Sequence, residues 1–134
     1  MTKGETRKGW VILAGVHEFE TAKQLADAAT AQGFNVEITS AEQPEMFRKP
    51  IARAAGLVLC LHNPVWPQYA DLHQAIGGIH APFAGPVIVA RWSSRYHPNV
   101  RRYYTEQGVN MQYTEQDPLD VDAVLALMKA ALPP

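Results

Sequence analysis

Cysteine is nearly absent from this chain: Cys60 is the one instance in 134 residues. No disulfide can form within the chain, and the expected compartment is a reducing one. Excess charge of either sign is also missing, since twelve Lys and Arg stand against thirteen Asp and Glu, a formal net charge of −1. A balance of that kind does not draw a protein to nucleic acid or to an anionic membrane, and neither is expected as a partner. No apolar run approaches the ~20 residues of a membrane span. The polar residues 1–8 are followed by no signal-peptide pattern, so the expected location is the cytoplasm. Phosphate-cradling loops are lacking too. Neither G-x-G-x-x-G nor G-x-x-x-x-G-K-[ST] follows the first apolar stretch, which speaks against Rossmann-type dinucleotide binding and P-loop hydrolysis. No G-x-S-x-G marks a nucleophile elbow.

What is present is a globular composition, 47% hydrophobic and 19% charged, at a length suited to one domain with a proper core. Strand and helix patterns alternate along all 134 residues, as in βαβ units. Strands are expected at Trp10 to Val16, Phe34 to Thr39, Leu57 to Leu61, Pro86 to Ala90 and Val109 to Tyr113. The first helix is expected at about Thr21 to Gln32, its apolar face Ala22, Leu25, Ala26 and Ala29, closed by Gly33. The second, about Gln43 to Ala55, holds Pro50, which should kink or split it. The third, about Pro67 to Ile79, turns Tyr69, Leu72, Ile76 and Ile79 inward, with Gly77 and Gly78 weakening its last turn. The fourth spans about Pro98 to Gln107. The last has Asp117 as N-cap and Pro118 at its first position, and buries Val121, Val124, Leu125, Met128 and Leu132.

Topology follows from the strand patterns. A parallel strand covered on both faces reads as a continuous apolar run, and one with a wetter face alternates. The first, third and fourth strands are continuous; the second and fifth alternate and belong at the edges. The expected fold is therefore α/β, a three-layer doubly wound sandwich on a five-stranded parallel sheet of order 2-1-3-4-5, the flavodoxin-like order.

In such sheets ligands bind beyond the carboxyl ends of the strands, where the strand order reverses. That point lies between the first and third strands. The loops there supply His17, Glu18, His62, Asn63 and Trp66, and the next loop supplies Arg91 and Trp92. His17 with Glu18 and His62 is a candidate acid–base pair or metal site, or a set of loop side chains satisfying backbone. No ligand spacing stands out, so no metal or other cofactor is expected. Trp66 and Trp92 are placed to stack on a ring or to plug the sheet edge. Arg91 is placed to clamp a phosphate or carboxylate, or to pair with Glu115 or Asp117. With Arg95, Arg101 and Arg102 it makes a local basic patch. Asp71 and His73, two apart on a helix, should not share a face. Cys60 reads as an inert core residue, and Tyr103-Tyr104 as partly core and partly surface.

The order and lengths of the elements, with "GFNVEITSAEQ", "GLVLCLHNP" and "GPVIVA", resemble a response-regulator receiver domain. That resemblance places the receiver's acidic pair at about Gly15 and Val16, its phosphoacceptor at about Leu61, its Ser/Thr at about Arg91 (Ser93 and Ser94 lie just beyond) and its lysine at about Gln116. The groups that hold magnesium and take phosphate are thus replaced, and the implied protein is a pseudo-receiver that acts through contacts. "VILAG" and "AAGLVLCLHNPVWPQYADLHQAI" also resemble the nucleoside deoxyribosyltransferase and TIR-like group. There the carboxylate that attacks or steadies a ribosyl C1′ corresponds to Asp71, an Asp where that group mostly uses Glu.

The expected function is a non-catalytic, receiver-like regulatory or protein-interaction domain, with a protein partner or self-association through the fourth and fifth helices. The alternative is a small nucleotide- or nucleoside-binding protein or an N-glycosidase-type enzyme. Its site would be built from His17, Glu18, His62, Asn63, Trp66, Arg91 and Trp92, with Asp71 catalytic.

Overall fold

A computed structural model describes residues 9–61, 66–78, 82–90, 98–114 and 120–131, with the backbone alone at 66–69, 98–101 and 113. Strands and helices alternate as β1 (Trp10–Ala14), α1 (Phe19–Ala31), β2 (Val36–Ser40), α2 (Pro44–Arg53), β3 (Gly56–Cys60), α3 (Trp66–Gly77), β4 (Pro86–Val89), α4 (Pro98–Gln107), β5 (Asn110–Tyr113) and α5 (Val121–Ala131). Every pairing is parallel and the order is β2-β1-β3-β4-β5, the order that the apolar patterning selects.

The three central strands bury every residue, and successive residues serve opposite cores. On one face Val11, Leu13, Leu57, Leu59, Val87 and Val89 meet Phe47 and Ile51 of α2, Leu72 and Ile76 of α3 and Tyr104 of α4. On the other Ile12, Val58, Cys60 and Ile88 meet Ala22, Leu25 and Ala29 of α1 and Val124, Leu125 and Met128 of α5. Cys60 is a fully buried core residue. At the β2 edge the alternation survives. Phe34, Val36 and Ile38 pack on the second core, while Asn35 and Glu37 are exposed. Among the described residues no helix is long and apolar enough to cross a membrane.

Pro50 does not break α2, which runs unbroken with the proline buried inside it. Proline lacks an N–H, so the carbonyl four residues back, that of Met46, loses its helical donor. The Thr39 hydroxyl, buried at the end of β2, donates to that oxygen at 2.8 Å. One tertiary bond replaces one helical bond, and the helix continues. Thr39→Val keeps the side-chain shape and removes the donor. It should lower stability by about 1–3 kcal/mol, read as a lower urea midpoint at unchanged slope. An unmoved midpoint would show that the Met46 carbonyl is served from elsewhere.

Other departures from the expected boundaries have local causes. β1 ends at Ala14, short of the expected Val16, because the Glu18 N–H bonds the Gly15 carbonyl at 2.9 Å and turns the chain. α5 begins at Val121, and its cap is Asp120, whose carboxylate accepts the Ala123 N–H at 3.2 Å. The expected cap, Asp117, with Pro118, lies outside the described residues, as do Ile79, Leu132 and the Tyr69 side chain. Gly77 and Gly78 are more than weak points. A Cβ at Gly77 would stand 2.5 Å from the Tyr103 ring, so its absence lets α4 approach α3. Gly78, at φ 54°, closes the helix in the left-handed region.

Candidate functional site

Two loops leave the sheet side by side at the carboxyl ends of β1 and β2. The Gly15 N–H still bonds the Cys60 carbonyl, at 3.2 Å, before the first loop turns away. The Ala41 N–H bonds the Ala14 carbonyl at 2.9 Å before the second loop enters α2. There Pro44 stands in the first turn, where a missing donor costs nothing. Glu42 ties the loops together: its carboxylate accepts the Val16 N–H at 2.7 Å, and its own N–H is held by Ser40 Oγ at 3.1 Å.

Between the loops lies a cavity of about 300 Å³ lined by Val16, Phe19, Ile38, Thr39, Glu42 and Met46, among others. The large hydrophobic side chains left exposed among the described residues are Val16 at 62%, Phe19 at 42% and Met46 at 49%. All three line this cavity. Scattered exposed apolar residues are ordinary, but a set gathered on one concavity is a patch of the kind that partners or ligands cover. The surrounding charge is mixed: segments 15–23 and 38–49 carry Glu18, Glu20, Glu42 and Glu45 together with Lys23, Arg48 and Lys49. Glu20 and Glu45 stand in the first turns of α1 and α2, where the helix dipole also favours a carboxylate.

The residues singled out from sequence fare unevenly. His17 is exposed on the β1–α1 turn. Glu18, only 7% exposed, occupies the N-cap position of α1, and its carbonyl accepts the Ala22 N–H at 2.8 Å. Asp71 is exposed on α3 and His73 is buried, as their spacing requires. Trp66 opens α3. His62, Asn63, Arg91 and Trp92 lie outside the described residues, as do Glu115 and Asp117. The structure thus sets His17 and Glu18 on one turn, beside the cavity. Among the described residues no group of three or more His, Cys, Asp or Glu could hold a metal ion. His73 enters a pairing that sequence reasoning did not anticipate. Its Nδ1 lies 2.5 Å from the Tyr104 hydroxyl, deep between α3 and α4, with the two rings edge to face.

The cavity lies between β1 and β2, one strand away from the expected gap between the first and third strands. Sequence reasoning missed Ser40, Glu42 and Met46 altogether.

No family model matches the chain, and none of the curated proteins matches it. Among solved structures it is similar to a chain in the crystal structure of the RPS4 and RRS1 TIR domain heterodimer. The TM-score is 0.61 at 10% sequence identity, over 91% of this chain and 93% of that one. This likeness bears out the flavodoxin-like α/β fold. It does not single out a receiver.

Proposed function

We propose that the chain is a non-catalytic protein-interaction domain of regulatory type, and that it docks a protein partner through the groove between the β1–α1 and β2–α2 loops. The observation that carries this reading is the convergence of Val16, Phe19 and Met46 on one cavity. Its volume, about 300 Å³, stands at the bottom of the range for small-molecule pockets, which bury most of their ligand. Walls that remain about half exposed suit a protein segment, which covers the walls while its side chains fill the cavity. The similar solved structure is itself a heterodimer of TIR domains, which supports partner binding as a use of this fold. The α4 and α5 helices, which lie on opposite faces of the sheet, suit a partner less well. Their exposed described side chains include Arg102, Thr105, Glu106, Asp122 and Lys129, with no exposed large hydrophobic among the described residues.

The test is capture of a partner by the intact chain, repeated with Phe19→Asp and Met46→Asp and with Ala126→Asp on α5 as control. These positions are at least partly exposed, so folding stability should fall by no more than about 1–2 kcal/mol, which urea unfolding of each variant checks. Capture should weaken at least about tenfold in each groove variant, since each removes an apolar anchor, and persist in the control. A partner held equally by all variants would place docking elsewhere and end this reading.

A further inference from the structure

Resting on that docking reading, we propose that Met46 is a modification site: hydrogen peroxide oxidises its thioether to the sulfoxide, and the groove stops docking until the oxygen is removed. The observation that carries this is a contrast among the sulfur-bearing side chains. Met46 is 49% exposed and lines the cavity. Met128 of α5 is fully buried in the second core. Met111 of β5 is partly buried against the first. Cys60 is fully buried within the sheet. Met1 lies outside the described residues. Oxidation of thiols and thioethers follows exposure, so of the four described sulfurs peroxide meets that of Met46 first.

The step moves one oxygen and two electrons. A sulfur lone pair attacks a peroxide oxygen, the O–O bond breaks and an S–O bond forms. The departing hydroxide takes the proton from the transferred oxygen and leaves as water. Sulfur is oxidised and peroxide reduced. The product is a polar, chiral side chain where a flexible apolar one stood. In the groove that oxygen faces Val16, Phe19 and Ile38, and an occupant that covers it must supply a donor or bear its desolvation. The backbone beneath is held independently of the sulfur. The Met46 N–H bonds the Gln43 carbonyl at 2.8 Å, and the Met46 carbonyl accepts the Thr39 hydroxyl at 2.8 Å. Oxidation therefore changes one wall of the groove and leaves α2 in place. The same reaction at Met128 would put a polar oxygen into the core and loosen the fold.

The experiment treats the intact chain with dilute hydrogen peroxide, samples it over time and maps the gain of one oxygen by peptide mass, which separates Met46 from Met1. The oxygen should appear at Met46 before Met111 or Met128, and the urea midpoint of the chain oxidised at Met46 should match that of the untreated chain. Once peroxide is removed, capture of the partner should be weaker by at least about tenfold, as for Met46→Asp. Methionine sulfoxide reductases should restore it. Met46→Leu keeps an apolar wall without sulfur, and should capture as the parent does before and after peroxide. Oxygen gained at Met111 or Met128 as early as at Met46 would overturn the site. Loss of capture by peroxide-treated Met46→Leu would place the sensitive group elsewhere and overturn it too. A partner released by Phe19→Asp but held by the oxidised chain would overturn the switch and leave the docking reading standing. A partner held by both, or none captured by the untreated chain, would end the docking reading and the switch together.

Discussion

Gly56→Val should lower the unfolding free energy by about 3 kcal/mol. Local terms point the other way. Valine is the better strand former, and removing a glycine narrows the unfolded ensemble, worth about 0.4–1 kcal/mol in favour of the fold. Packing decides the sign. Gly56 of β3 is the direct neighbour of Trp10 in β1. A Cβ at position 56 would stand 2.6 Å from Trp10 Cζ3 and 2.8 Å from Cε3, inside any real contact. Trp10 is only 3% exposed, so its ring has no solvent-side refuge. The indole covers the bare strand where a side chain would otherwise sit. Urea unfolding of Gly56→Val, Trp10→Leu and the double variant should show an interaction energy of about 1–3 kcal/mol, because the valine fills space that the smaller leucine vacates. A Gly56→Val midpoint at or above that of the parent would show that the ring moves aside freely.

The difference between what sequence reasoning reached and what it missed follows from the range of the interactions. Leu57, Val58 and Leu59 are successive apolar residues, and that run requires cover on both sheet faces; together with the alternation at Val36 to Thr39 it is enough to order the strands. Val16 shows the opposite case. It continues the run from Trp10 and reads as strand, yet the chain turns at Gly15, and Val16 is left 62% exposed as a groove wall. Pro50 reads as a helix breaker because the compensating donor, Thr39, belongs to another element. The site divides in the same way. The switch-point rule points to the carboxyl edge of the sheet, and the cavity opens on that edge. The groove, however, depends on Glu42 reaching Val16 across 26 residues of sequence, and no pattern within either loop discloses that bond. His62, Asn63, Arg91 and Trp92 lie outside the described residues.

Tyr104→Phe and His73→Leu should each lower stability by about 1–3 kcal/mol, since each leaves a buried polar partner without the bond between them. The double variant replaces both polar groups and should cost less than the sum by about 1–2 kcal/mol. His73 and Tyr104 are both fully buried, 31 residues apart in sequence, with Nδ1 and the hydroxyl at 2.5 Å. The bond is the polar part of a contact that is otherwise aromatic. The His73 and Tyr104 rings meet edge to face at 5.4 Å, and Tyr103 meets Tyr104 likewise at 5.6 Å. Gly77, with no Cβ to hold Tyr103 away, lets these rings lie against α3. A loss confined to this seam should loosen α4 without disturbing α1, which packs on the other face of the sheet with α5. Amide exchange in the two single variants should therefore quicken across α4 by more than the global loss of stability explains, while α1 follows the global value. Strict additivity of the two substitutions, with uniform exchange, would show that the two helices are held by apolar packing alone and that the hydrogen bond between them contributes no coupling.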